Sequence, residues 1–260
     1  MSGRNGDTSY QSIEVRRDGA IDWVTLNRPD RLNAMDRAMI DELDSYFGDL
    51  VRDDECRVVI LRGAGKGFCS GLDLKSFDPD APSTLSIDLP NLVRKMRACP
   101  QPIIALMRGA AAGGGFSLAL AADVRIAATD ARMNAAFIRL GVSGCELGTS
   151  FFLPRTVGPS VANEIMMTGR FVNAERALAT GLVSEVVDGD ELDNAGRAMA
   201  EDMLKASWVG LRMTKATVER VGRLGDLDAA LDVEMQTQNE CLAHPAFKEA
   251  IASFQAAAKK

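Results

Sequence analysis

Histidine is almost missing from this 260-residue chain, whose single copy, His244, stands before Pro245 in the C-terminal part. A histidine-dependent catalytic triad would have to rest on that residue, for which a surface or capping role is expected instead. The five cysteines (Cys56, Cys69, Cys99, Cys145 and Cys241) are odd in number and never in C-x-x-C spacing. No disulfide frame or zinc site is expected, no other metal is implied, and a reducing, cytoplasmic compartment is the simpler setting. Positive charge is not in excess: the formal net charge is −6, which argues against bulk affinity for nucleic acid or anionic membranes. No long apolar run exists either, because the most apolar stretch, residues 103–122, is interrupted by Arg108 and several glycines. The start of the chain lacks a basic-then-apolar signal, so neither a signal peptide nor a membrane-spanning helix is expected. Nucleotide fingerprints are missing too: Lys66 is followed by Gly67 rather than Ser or Thr, and neither G-x-G-x-x-G nor G-x-S-x-G occurs.

What is present fits one large α/β domain, with 47% hydrophobic and 25% charged residues. Only the polar start, residues 1–9, is expected to fray. Alternation from Ile13 to Arg16, the Asp18-Gly19 turn and the run from Ile21 to Leu26 predict a β-hairpin. Met39, Leu43, Phe47, Leu50 and Val51 recur at helical spacing and predict a helix over residues 36–52. Apolar runs 58–61 and 103–107 predict buried strands, 85–98 a helix stopped by Pro100 and Pro102, 113–122 a helix buried on all sides, and 123–127 another strand. Beyond about residue 190 strand signals vanish, and 192–208, 211–220 and 227–241 carry helical periods. The expected layout is a βα core over residues 10–195 followed by a helical region over 196–260. The acidic clusters at 41–42 and 53–55 are expected on solvated surfaces.

Two glycine-rich turns, residues 63–73 and 109–115, each follow a predicted strand. Glycine lets the backbone approach a ligand closely and present N–H groups to an anion, and the second turn also opens a helix. Both are equally readable as tight connections. Cys69, lacking a histidine partner, is expected to be a buried structural thiol.

The order and spacing of several short pieces resemble the crotonase (enoyl-CoA hydratase/isomerase) superfamily over residues 12–255. They are Leu26-Asn27-Arg28-Pro29 with Asn33-Ala34-Met35, then Gly67-Phe68-Cys69-Ser70-Gly71-Leu72-Asp73-Leu74, then residues 109–115 running on to Leu118-Ala119-Leu120-Ala121-Ala122-Asp123. Leu153-Pro154-Arg155, Thr168-Gly169-Arg170, residues 174–177 and Gly181-Leu182-Val183 complete the set. The resemblance implies a spiral of ββα units with a C-terminal helical region, a homotrimer or dimer of trimers, and an acyl-CoA substrate with no separate cofactor. It also implies that the N–H groups of Leu72 and Gly114 bind the thioester oxygen, where enolate charge would collect. Arg28 and Arg31 are then candidates for the coenzyme A phosphates, Ala34 and Ser70 for backbone contacts with its adenine, and Lys248 or the terminal lysines for a contact from a neighbouring subunit. Gly71, Asp73, Gly113, Ser117 and Phe137 are expected to line the substrate site.

Family hydratases hold a water between two glutamates, and here the corresponding positions read Ser117 and Phe137. Serine is no base near neutral pH and phenylalanine excludes water, so ordinary hydration is not the expected chemistry. Glu146, in the mostly uncharged stretch 142–148, falls where family isomerases carry an aspartate, and one carboxylate suffices to take a proton from one carbon and return it to another. Double-bond isomerisation with Glu146 as base is therefore expected. The alternatives are hydration or acyl-CoA hydrolysis by Glu146 with a water, a structural Glu146 that caps a helix or pairs with Arg139 or Arg155, and a non-catalytic acyl-CoA-binding protein.

Overall fold

A tight turn starts the chain's architecture. In the computed structural model, which describes residues 10–76 and 89–257, β1 (Ile13–Asp18) and β2 (Ile21–Leu26) pair antiparallel, with Asp18 opposite Ile21 and Gly19 at φ +60° closing the turn. The fraying expected for residues 1–9, the first residues of the helix expected from 85, and Lys259 and Lys260 lie outside the described residues. Every residue of β2 is buried, as a central strand requires. Asp36 then caps α1 (Arg37–Asp49), its side chain accepting the Met39 N–H at 3.0 Å. Met39, Ile40, Leu43, Tyr46 and Phe47 form the buried stripe of α1.

Parallel strands follow: β3 (Val58–Gly63), then α2 (Leu89–Ala98) and β4 (Ile103–Met107). Next come β5 (Ala110–Ala112), α3 (Gly114–Ala121), β6 (Val124–Ala128) and β7 (Arg132–Asn134). The chain continues with α4 (Thr149–Val157), α5 (Pro159–Thr168), β8 (Val172–Asn173), α6 (Ala174–Ala179) and β9 (Glu185–Val187). A six-stranded sheet has the order β1-β2-β3-β4-β6-β9, parallel beyond the first pair, and a small sheet has the order β5-β7-β8. The turn expected over 109–115 is thus partly a strand. Its backbone, not its side chains, makes it one, which is why no alternation announced it.

Alternate side chains of the large sheet feed two cores. Val24, Leu26, Val59, Leu61, Ala105 and Met107 pack under α1, α2 and α3, while Ile21, Trp23, Val58, Ile60, Ile104 and Leu106 face α7 (Leu192–Leu204). Gly196 of α7 lies so close to the sheet that an added Cβ would meet Leu106 Cδ1 at 2.6 Å. The division drawn at 195/196 therefore cuts a helix that belongs to the core. Ser207 ends the helical run expected over 192–208 by capping α8 (Trp208–Val221), and α9 (Leu227–Ala243) and α10 (Pro245–Ala257) follow. Buried Lys215 fastens α8 to the body through Asp123 at 2.9 Å and the carbonyls of Met96 and Gln101, while no residue of α9 is buried. Among the described residues no helix is long and apolar enough to cross a membrane.

Two acidic residues expected on solvated surfaces are structural instead. Glu42 accepts the N–H groups of Gln11, Ser12 and Ile13 at 2.8–3.0 Å. Asp53 and Asp22 share the Arg17 guanidinium, and Tyr46 Oη adds a bond to Asp22 at 2.9 Å.

Asn33 ties the first site loop to the second: Oδ1 accepts the Arg28 N–H at 2.9 Å, and Nδ2 donates to the Ala64 and Gly67 carbonyls at 2.8 Å each. Its φ of +53° suits asparagine better than most residues. Asn33→Ala leaves buried carbonyls unpaired and adds left-handed strain, so urea unfolding should show a loss of about 2–4 kcal/mol.

Candidate active site

The residues from Gly67 to Asp73 are threaded between two other backbones. Phe68 N–H donates to Arg108 O at 2.8 Å, Cys69 N–H to Ala110 O at 3.0 Å, and Ala112 N–H to Cys69 O at 2.9 Å. On the other side Met35 N–H donates to Gly71 O at 2.7 Å and Asp73 N–H to Met35 O at 2.9 Å, so Leu72 pairs with Met35 while its own N–H points out of that ladder. Gly113, at φ +50°, gives its N–H to Asn134 O at 3.0 Å and leaves Gly114 as the first residue of α3. The Gly114 N–H is one of the amides a helix start leaves without an intrahelical partner. Neither the Leu72 nor the Gly114 amide has an acceptor among the described residues. They are neighbours: a Cβ built on Gly71, which sits at φ +101°, would be 3.5 Å from the Gly114 nitrogen, which puts the two nitrogens within about 7 Å by bond geometry. Two adjacent N–H groups at a positive helix end form an anion-accepting cradle.

Beside the cradle opens a cleft of 350 Å³, lined among others by Arg31, Ala34, Ser70, Leu72, Asp73 and Lys75. The structure thus gathers three of the expected coenzyme-contact positions, Arg31, Ala34 and Ser70, around one opening, together with Asp73, which was expected to line the substrate site. Lys75, close behind Asp73, adds a cation that the motif comparison passed over. Arg28 is different. Its guanidinium is held by Asp73 at 3.0 Å, Asp36 at 3.1 Å and the Ala34 carbonyl, so it braces the loop from within instead of presenting itself to a phosphate. Burial alone would raise the Asp73 pKa, but the Arg28 bond, the Lys75 amide and the Arg28 and Arg31 charges outweigh it and hold the carboxylate below its ordinary value. A larger apolar cavity of 450 Å³ lies at the far end of α3, between α4 and α8, and contains none of the expected site residues.

The loop from Gly141 to Gly148 crosses the start of α3. Leu147 adopts φ +51°, unusual for a branched side chain, and Gly148 φ +83°. Leu147 Cδ1 would lie 3.6 Å from a Cβ on Gly114, which sets Leu147 directly on the cradle. Glu146, one residue earlier, is half-buried, and its carboxylate has no hydrogen bond or ion pair among the described residues. Burial pushes its pKa above the ordinary carboxylate value, with no cation offsetting it. The ion pair with Arg139 or Arg155 is therefore not formed. Ser117 is fully buried, with its Oγ 2.9 Å from Thr149 Oγ1, 3.3 Å from Gly113 O and 3.5 Å from Glu146 O. Phe137 is buried with its ring edge 3.5 Å from a Cβ built on Gly113.

A family model described as enoyl-CoA hydratase/isomerase matches residues 16–259. The chain belongs to that family. It is 42% identical over 228 residues to "Probable enoyl-CoA hydratase echA12" of Mycobacterium leprae, covering 83% of this chain and 76% of that one. It is 33% identical to the 1,2-epoxyphenylacetyl-CoA isomerase of Escherichia coli, with 89% and 90% covered. Among solved structures, the enoyl-CoA hydratase of Bacillus anthracis superposes with a TM-score of 0.90 at 30% identity over 94% of this chain and 96% of that one. A monofunctional enoyl-CoA isomerase of M. smegmatis superposes with a TM-score of 0.74 at 40% identity, over 85% and 98%. The α/β crotonase fold expected from the motifs is the fold of these structures, and this chain is an enzyme of the enoyl-CoA hydratase/isomerase family.

In this family member the lone histidine does what its position suggested: His244 ends α9, exposed, with Nδ1 accepting the Ala246 N–H at 3.2 Å. Cys69 is a buried thiol whose pKa burial pushes up to about 12. Among the described residues no cluster of side chains is suited to a metal ion. The Ser117–Thr149 contact escaped sequence reasoning because thirty-two positions separate two unremarkable hydroxyls. Because the folded state raises the Glu146 pKa, ionising it costs folding stability; the cost is absent below the ordinary carboxylate pKa and full above the raised one. Glu146→Gln should therefore melt higher than wild type at pH 8, with the gap closing as the pH falls to about 4 in calorimetric scans.

Proposed function

We propose that this enzyme moves the double bond of an unsaturated acyl-CoA, with Glu146 as the sole acid–base group. The observation that carries the reading is Glu146 itself: a half-buried carboxylate with a raised pKa and no partner, on the loop that lies across the amides of Leu72 and Gly114. The substrate's thioester oxygen accepts those two N–H groups. Glu146 takes a proton from C2 of a 3-enoyl-CoA and the freed electron pair spreads onto the thioester oxygen as a dienolate; the carbonyl then re-forms, the double bond shifts to C2–C3, and the carboxylic acid returns the proton at C4. Atoms and charge balance with no added reagent. Each donor to an oxyanion is worth about 2.7–4 kcal/mol in the transition state. The coenzyme's nucleotide lies in the cleft beside Arg31, Ser70 and Lys75.

Hydration is the second reading, favoured by the hydratase names of several relatives. It needs a held water, and the two positions where family hydratases carry glutamates are here a buried phenylalanine and a serine whose hydroxyl is already engaged inside the protein. A non-catalytic acyl-CoA binder would have no use for a desolvated, unpaired carboxylate, which costs stability.

The homotrimer or dimer of trimers implied by the motifs belongs to the same proposal. Leu227, Leu231, Met235 and Phe254 stand 50–74% exposed on α9 and α10, an apolar display that self-association would cover. Light scattering should give three or six times the 27.9 kDa chain mass, and a monomer would remove this part of the reading.

Incubation with panels of 3-enoyl-CoA and 2-enoyl-CoA, followed by mass spectrometry and proton-exchange NMR, tests the chemistry. Wild type should interconvert the two, and Glu146→Gln should lower kcat by about 10²-fold or more. Water addition as the main wild-type outcome would favour the hydratase reading, and inert but equal acyl-CoA binding by both proteins would favour the binder.

A further inference from the structure

The buried hydroxyls Ser117 and Thr149 form a contact that the proposed chemistry does not use. Thr149 is the first residue of α4 and Ser117 sits one turn inside α3, and both side chains are fully buried. Only one arrangement of the two hydroxyl protons satisfies both groups. Thr149 Oγ1 donates to Ser117 Oγ at 2.9 Å, and Ser117 then donates to the Gly113 carbonyl at 3.3 Å or the Glu146 carbonyl at 3.5 Å. The reverse direction leaves the Thr149 proton with no acceptor among the described residues. The Glu146 carbonyl also accepts the Thr149 N–H at 2.9 Å. The main-chain oxygen of the base residue is therefore held by the first residue of α4, and that residue's hydroxyl is tied to Ser117 of α3.

The flanks of Glu146 are fixed as well. A Cβ on Gly144 would lie 2.1 Å from Met166 O, so the loop lies flat on α5 at that point, and left-handed Leu147 seats its side chain against Gly114. A left-handed leucine persists only where its surroundings hold it.

We propose that the Ser117–Thr149 hydroxyl pair is a positioning device for Glu146, fixing the base residue's main chain to the helix that supplies the Gly114 amide. The inference rests on the reading of Glu146 as the base. Ser117 and Thr149 act through Glu146 and touch no reacting atom. The pair gives the distance from base to cradle a direct mechanical link, because Ser117 and Gly114 belong to the same turn of α3. It also keeps Glu146 half-withdrawn from water. The titratable groups carried by the packed elements are Cys145 on the loop, Arg139 on the preceding turn, Arg155 on α4 and Glu164 on α5, with none on α3. Glu164 is engaged by Arg176, and burial is the only influence resolved on Glu146. A looser loop therefore acts on the base through hydration.

The test compares Ser117→Ala, Thr149→Val and Thr149→Ser with wild type and Glu146→Gln, using 3-enoyl-CoA turnover across pH and thermal melting of each protein. Ser117→Ala and Thr149→Val should each lower kcat by about 10-fold, the order lost when a reacting group is let slip from its productive geometry. KM should stay unchanged, and the acid limb of the kcat profile should move to lower pH as Glu146 gains water. Thr149→Ser, which keeps the hydroxyl, should restore kcat and the limb. A purely structural role would lower the melting temperature of both variants while leaving kcat and the acid limb of the folded protein at wild-type values, and that result overturns the inference. Should Ser117→Ala fail to fold, the isosteric Thr149→Val and its serine counterpart decide alone. Wild-type turnover by Glu146→Gln would remove the base assignment and this inference with it, whereas an inert Glu146→Gln beside fully active Ser117→Ala and Thr149→Val removes only the positioning role.

Discussion

Everything at this site depends on how closely two backbones approach each other. The segment around Cys69 lies against residues 108–112 through main-chain hydrogen bonds, and there is no room between them for side chains. A Cβ on Gly109 would stand 2.1 Å from Lys66 O, and one on Gly115 2.2 Å from Cys69 O. Any side chain at either position drives the segments apart. The Leu72 and Gly114 amides are adjacent only while that contact holds, since each is placed by the segment to which it belongs. The same constraint explains why α3 is buried on every side: its first turn is wedged against Cys69, and its other faces meet β5, α2 and α4.

Charge is distributed to match. Several buried or half-buried carboxylates elsewhere are answered by arginine or lysine, Asp22 and Asp53 by Arg17, Asp73 by Arg28, and Asp123 by Arg97 and Lys215, while Glu42 is answered by three backbone N–H groups. Such arrangements keep a carboxylate charged and fixed, which serves structure and gives nothing to proton transfer. Asp73 shows the contrast beside the cradle: burial acts to raise its pKa too, yet its pKa is lowered because Arg28, with the Lys75 amide and the Arg31 charge, more than offsets burial. Glu146 has no such counter-charge, and its affinity for a proton rises accordingly.

Elements made by side-chain pattern were legible in the sequence, and elements made by main-chain contact were not. The hairpin, α1, β3, β4 and the all-buried α3 followed from periodicity and from Gly and Asp at turns. Strands β5, β7 and β8 have two or three residues each and exist because neighbouring backbones need partners, so no alternation marks them. The break between α7 and α8 turns on one capping serine inside a continuous helical period. At the site, motif position pointed to Leu72 and Gly114, whose amides lie close together, and to Arg31, Ser70 and Asp73, which line one cleft, but it could not tell that Arg28 is used internally. Neither the left-handed φ of Leu147 nor the Ser117–Thr149 contact has any local signature, since each is fixed by tertiary contacts.

The proposed chemistry and the composition of α3 constrain each other. A carboxylate at position 117 would be an ion inside a helix whose every residue is buried, and it would need bound water or a cation to bear the charge. A serine there needs only neutral partners, and Thr149 with the nearby carbonyls supplies them. Phe137 fills the facing space by Gly113 with an apolar ring. With both positions uncharged and buried, no carboxylate on this side of the cradle competes with the substrate's own carbons for a proton. The remaining base must then both take the proton and hold it until C4 is ready. In the proposed reaction, burial without a counter-charge favours the protonated form of Glu146 between the two transfers, and the proposed clamp of its main chain would keep it within reach of both carbons.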